Sequence, residues 1–169
     1  MKTLATAAFL TAILTLSLSA QSSVPVGSAA PAFSGVSMDG IQIDLDDLRG
    51  SVVVLTFWST RCSICHTEMP KVNSLVGDYD RRKVAFLSLT MENSEKINSY
   101  LRRNRLASEI LPDSFGVVLK YADRGSNGVI NMGFPAYFVI DKDGIVQHRS
   151  SGYDKTPQVA AAIDELVTR

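Results

Sequence analysis

The order of apolar and polar positions divides the chain into a short series of elements. Val52 to Trp58 is an apolar run of β-branched, aliphatic and aromatic residues, interrupted only by Thr56, and it predicts a central strand buried on both faces. Lys83 to Leu89 predicts a second buried strand. Between them, Ser63 to about Tyr79 places Met69, Val72, Leu75 and Val76 at helical spacing; Pro70 within that stretch predicts a kink or a local break. Ser94 to Asn104 reads as a helix with Ile97, Tyr100 and Leu101 on one face. Phe115 to Ala122 reads as a further short helix, and Gln158 to Val167 as a closing one. Two hairpins complete the pattern. One runs from Val36 to Ile43 and turns at Asp39-Gly40; the other joins Ala136–Ile140 to Ile145–Ser150 across Asp141 to Gly144. Asp44 to Gly50 is a brief helical or turn segment. Consecutive buried strands separated by a helix imply a parallel pair with a right-handed crossover, and the final hairpin adds antiparallel strands. The expected fold is α/β: a mixed β-sheet flanked by helices, preceded by an N-terminal β-hairpin.

The start of the chain follows a different pattern. Lys2 is followed by an uncharged stretch from Thr3 to Ala20 that holds Phe9, Leu10, Ile13, Leu14, Leu16 and Leu18 and closes on small residues. Residues 1–20 therefore read as a secretory signal peptide, with an uncleaved membrane anchor as the alternative. Residues 21–32, rich in Ser, Ala, Gly and Pro, read as a flexible lead-in, and residues 33–169 as one domain. Of all 169 residues, 46% are hydrophobic and 20% charged, which is a globular composition, and the formal net charge of zero gives no reason to expect a nucleic-acid partner. The expected location is periplasmic or otherwise extracytoplasmic, and the expected state a monomer.

Export changes how the two cysteines are read. Cys62 and Cys65 are too close in sequence to staple a fold, because a bridge between them closes a tiny loop. Redox chemistry explains them better. A strand ends just before Cys62 and a helix begins at or just after it. Unpaired N–H groups and the positive end of the helix dipole at that point stabilise a thiolate, which assigns Cys62 as the nucleophile. Cys65, almost one turn on, is the resolving thiol. Metal binding is the rival reading of a Cys-x-x-Cys pair, but it needs two more ligands, and only His66 and His148 are on offer. No metal and no cofactor beyond the Cys62–Cys65 disulfide is expected.

The run Val53-Val-Leu-Thr-Phe-Trp-Ser-Thr-Arg-Cys-Ser-Ile-Cys-His-Thr-Glu-Met-Pro, the early hairpin through Asp39-Gly40, and Gly133-Phe-Pro-Ala-Tyr-Phe-Val-Ile-Asp141 together resemble the thioredoxin superfamily, and more closely its exported TlpA/ResA-like branch. The resemblance implies a thioredoxin-like fold and thiol–disulfide oxidoreductase activity. It implies that Pro135 is the cis-proline beside the disulfide, where composition alone would favour an ordinary trans bond. It implies that Trp58 supports the active-site loop, and that Arg61, Ser63, Ile64, Phe134 and Pro135 contact substrate. Glu68 matches the acid tied to reductive activity, where it would take the proton of Cys65; the alternative is a solvated helix glutamate. Thr56 stands where thioredoxin itself has a buried acid. Arg61 departs from the usual Trp, and as a cation next to Cys62 it would favour the thiolate and a more oxidising disulfide. His66 reads as a bland exposed residue.

These features support a reductase of exported protein thiols, with apocytochrome c as one candidate substrate and a membrane electron donor or acceptor as partner. A disulfide-forming oxidase is the alternative that Arg61 favours. A peroxiredoxin would need Pro where Leu55 stands, although Ser59 fits its Thr/Ser position. A non-catalytic binding module is at odds with the intact Cys62, Cys65 and Pro135.

Overall fold

A computed structural model describes residues 24–80, 82–125 and 127–168. The leader expected at residues 1–20 and the start of the lead-in lie outside the described residues.

Five strands form the main sheet: β3 (Val52–Phe57), β4 (Val84–Leu89), β5 (Glu109–Leu111), β8 (Ala136–Ile140) and β9 (Val146–Ser151). Their order is β5-β4-β3-β8-β9. The first three are parallel neighbours, whereas β8 and β9 join antiparallel. The apolar run of β3 sits at the centre with all six residues buried, as a strand covered on both faces must be.

Alternate residues of β3 feed two cores. Val53, Leu55 and Phe57 face one layer with Phe138 and, from α3 (Phe115–Tyr121), Val117, Val118 and Tyr121. Val52 and Val54, followed by Trp58, face the other layer. There they meet Cys65, Met69, Val72 and Val76 of α1 (Ser63–Asp78), Ile97 of α2 (Ser94–Leu101), and Val159 and Ile163 of α4 (Thr156–Val167). The mixed α/β sheet with helices on both faces is thus as expected.

Several details depart from the sequence reading. Strand β5 and a small hairpin of β6 (Asp123–Arg124) and β7 (Ile130–Asn131) are additional elements. Helix α1 continues through Pro70 without interruption. Pro70 and His66 both lie on the exposed side, so the ladder bond that proline cannot make is missing from the solvent face. Helix α4 begins at Thr156, with Pro157 in its first turn where a missing N–H costs nothing.

The N-terminal hairpin pairs β1 (Ser34–Val36) with β2 (Gln42–Asp44) around Gly40, whose φ of +78° suits a residue without Cβ. A 3-10 turn follows at Asp46–Leu48. Residues 24–32, read from sequence as lead-in, pack onto the domain. Val24 is buried, Ala29 bridges Ile145, and Gly27 and Ala30 donate backbone hydrogen bonds to Val146 and Gly144. At the other edge, Met38 donates to the Ile110 carbonyl of β5.

Candidate active site

The site forms where β3 gives way to α1. Trp58 extends the strand by donating its N–H to Leu89 O at 3.0 Å, is fully buried, and lies with its ring centre 5.2 Å from that of Tyr100. It lies immediately before the loop that carries Cys62, in the same core layer as Cys65. Ser59 to Arg61 then cross the end of the sheet, and Cys62 becomes the N-cap of α1 with extended backbone angles. Its Sγ accepts a hydrogen bond from the Cys65 N–H at 3.1 Å, one of the donors that a helix start leaves unpaired. Cys62 is half-buried and Cys65 fully buried, their Cα atoms are 5.2 Å apart, and a disulfide joins them. An outer and an inner sulfur are what the sequence argument asked for.

Across the site, the Phe134–Pro135 peptide bond is cis. The Phe134 carbonyl oxygen lies 3.6 Å from Cys62 Sγ. Phe134 is half-buried and Pro135 buried, with the Pro135 carbonyl accepting from Gly152 N at 2.8 Å. Arg61, Ser63 and Ile64 are exposed around the disulfide. Of the five residues expected to meet substrate, Arg61, Ser63, Ile64 and Phe134 offer surface, whereas Pro135 is buried. Beside Phe134 lies an apolar hollow of about 270 Å³, lined by Met91, Phe115, Val118, Leu119, Ile130 and Met132.

Glu68 is not a solvated helix glutamate. It lies one turn beyond Cys65 and has no exposed surface. Its Oε1 accepts from Lys71 Nζ at 2.9 Å, while its Oε2 has no partner among the described residues. Lys71 also reaches Asp154 at 2.9 Å and sits 4.7 Å above the Tyr153 ring centre. Hydrogen bonding first to Glu68 and then to Asp154 holds the Lys71 ammonium well above its ordinary pKa. Tyr137, on β8, is buried with an unpartnered hydroxyl; burial, and next the charge of Glu68, raise its pKa. Trp58 Nε1 is the other buried side-chain polar atom without a partner among the described residues. Thr56 is buried in register with Tyr137 and carries no charge, so Glu68 is the acid that occupies this layer.

Glu92 is a residue that sequence reasoning missed. It follows β4, and its side chain is only 9% exposed. Thr60 donates to it from both its backbone N–H and its hydroxyl at 2.8 Å, and Ser59 from its hydroxyl at 3.1 Å. Lys96 adds an ion pair at 3.3 Å. Burial pushes the Glu92 carboxyl up, but the bonds from Thr60, Lys96 and Ser59 outweigh it and hold the pKa below the ordinary value. From the opposite side, His66 Nε2 donates to Thr60 O at 2.8 Å, with its ring against Tyr100. The loop carrying Cys62 is thereby braced between an acid and an imidazole. No local pattern marks Glu92, since its partners come from a loop some thirty residues earlier.

Residues 26–149 match the AhpC/TSA family. The chain belongs to the AhpC/TSA family. The thiol-disulfide oxidoreductase ResA of Bacillus cereus is 30% identical over 149 residues, covering 88% of this chain and 82% of that protein. ResA of Geobacillus kaustophilus is 32% identical over 133 residues, covering 78% and 72%. With these relatives and its Cys62–Cys65 pair, this AhpC/TSA-family protein is a thiol–disulfide oxidoreductase acting on protein thiols and disulfides. In structure it is similar to a putative protein disulfide isomerase from Bacteroides thetaiotaomicron (TM-score 0.73, 24% identity, 86% and 92% of the two chains). It is also similar to a peroxiredoxin-like protein from Aquifex aeolicus (TM-score 0.66, 22% identity, 85% and 88%). These two establish the thioredoxin-like fold.

Proposed function

We propose that this AhpC/TSA-family oxidoreductase works outside the cytoplasm as a reductase of protein disulfides, with apocytochrome c among its candidate substrates. The observation that carries the direction is the environment of Cys62 Sγ. A strong oxidant needs a heavily stabilised thiolate. Here Sγ accepts one helix-start N–H, and the negative end of the Phe134 carbonyl dipole lies beside it. A carbonyl oxygen welcomes a thiol hydrogen and repels a thiolate. The His66 Nε2–H is directed to Thr60 O rather than to the Cys62 sulfur.

In the proposed cycle, the Cys62 thiolate attacks a substrate disulfide and releases the first substrate sulfur as a thiolate, which takes up a proton. Cys65 gives its proton to Glu68, attacks the Cys62 sulfur of the mixed disulfide and expels the second substrate sulfur as a thiolate, which takes up a proton as Glu68 returns its own to the medium. The protein is left with its Cys62–Cys65 disulfide, which a membrane thiol donor must reduce. Arg61, Ser63, Ile64 and Phe134 form the contact surface, and the neighbouring hollow suits apolar side chains of an unfolded substrate. Arg61 is exposed, so solvent screens its pull toward the oxidising side.

The peroxidatic reading loses its one matching residue here. The Ser59 hydroxyl is committed to Glu92 rather than open beside Cys62, and Leu55 occupies the place of the required proline.

The test is the reduction potential of the Cys62–Cys65 couple, equilibrated with glutathione or dithiothreitol. A value near that of thioredoxin, about −270 mV, is expected; one near that of DsbA, about −120 mV, makes the protein an oxidase.

A further inference from the structure

Cys65, Glu68 and Lys71 fall at three-residue intervals on α1 and so form one stripe of the helix. Its buried end is a sulfur and its surface end an ammonium, with a carboxylate of zero exposure between them. A buried carboxylate without a counter-charge would take up a proton rather than remain ionised. Lys71 is the only cation among the described residues bonded to Glu68. A lysine head on a flexible stem makes a poor counter-ion unless something holds it, and here two further groups do. Asp154 binds the same Nζ from the connection between β9 and α4, where a φ of +57° turns the chain back toward α1. The Tyr153 ring lies beneath it.

We infer that Lys71, anchored by Asp154 and Tyr153, is a positioning residue for Glu68: it holds Oε1, supplies the counter-charge of the buried carboxylate, and leaves Oε2 free to take the Cys65 proton. This rests on the reading of Glu68 as the base for Cys65. The other groups around Glu68 do not supply a positive charge. Tyr137 presents a neutral phenol from β8, and β3 presents Trp58 and Thr56. Helix α4 meets this layer with Val159 and Ile163, and α2 with Ile97 and the Tyr100 ring, which lies on Trp58. Loss of the Lys71 charge therefore leaves the buried carboxylate without a counter-charge against its desolvation.

The experiment reacts the reduced full chain with 5,5′-dithiobis(2-nitrobenzoate) in a stopped-flow instrument between pH 5 and 10. The first coloured thiolate is released by Cys62 attack, and the second by Cys65 resolving the mixed disulfide. In Lys71→Met, the acid limb of the second phase is expected to rise by about one pH unit or more. At the midpoint of the wild-type limb, a limb displaced by one unit leaves resolution about fivefold slower than in wild type. The first phase should keep its rate, which a general folding defect would not allow. Lys71→Arg should restore the limb. Asp154→Asn, a change at an exposed side chain, should move it the same way by less. If Glu68→Gln abolishes the limb while Lys71→Met and Asp154→Asn leave it in place, the role given to Lys71 is overturned and that of Glu68 stands. If Glu68→Gln keeps the wild-type profile, the base itself is misassigned and both fall.

Discussion

Replacing Glu92 with alanine should cost more than any other exchange of a single polar side chain around the loop that carries Cys62. In the native structure the carboxylate accepts the Thr60 N–H, the Thr60 hydroxyl and the Ser59 hydroxyl. Hydrogen bonds to a charged group contribute about 1.5–3 kcal/mol each. The two hydroxyls belong to half-buried residues and can turn to water, so only the Thr60 N–H counts fully and the hydroxyls at a fraction. The ion pair to Lys96 adds little, because that side chain is 44% exposed. The expected loss is about 2–4 kcal/mol, or roughly 5–15 °C in Tm for a domain of this size. The assay is urea or thermal unfolding of both proteins at several pH values. Because the folded-state pKa of Glu92 lies below its unfolded value, its stabilisation is complete above that unfolded value and is lost as pH falls through the folded one. The difference between wild type and variant should therefore be full at pH 7 and shrink on acidification toward pH 3. A loss under about 0.5 kcal/mol at pH 7, or a gap that does not narrow in acid, would refute the brace.

Two other changes have opposite and less obvious outcomes. Cys65→Ser should trap substrates as mixed disulfides on Cys62, seen as high-mass species on non-reducing gels that collapse with dithiothreitol; if Cys62→Ser traps them instead, the two roles are reversed. Tyr137→Phe should be neutral or stabilising by up to about 1 kcal/mol, since it deletes a buried hydroxyl without a partner. A clear loss in urea unfolding would mean that this hydroxyl is bonded in solution.

Much of the fold could be read from periodicity because its central pieces are long and uniformly apolar. Strand β3 could hardly be anything but a buried strand, and the spacing of Met69, Val72 and Val76 places one face of α1 on it. Strands β5, β6 and β7 span two or three residues each, too few for an alternating pattern to declare itself. At Pro70 the helix continues, because the missing N–H removes a single ladder bond on the exposed side of a helix whose other face is anchored in the core. The redox pair was legible because its chemistry needs both sulfurs within one helical turn. Glu92 and Lys71 were not, because a carboxylate after a strand and a lysine on a helix have no meaning until another segment arrives beside them. His66 looked bland and is exposed, yet its imidazole holds the Thr60 carbonyl.

The same N-terminal segment touches both rims of the sheet. Residues 27–30 bond to the start of β9, and Met38 bonds to β5. An open sheet has two rows of unspent backbone groups, each a template on which another chain can add a strand. Here one stretch of polypeptide occupies part of both. It acts as a guard against self-association as well as a contributor to the core. A protein that exchanges disulfides with other chains has particular need of a sheet that does not itself recruit them. Trimming residues 24–44 would remove that guard together with the core side chains Val24 and Phe33, so association between molecules should accompany a lower melting point.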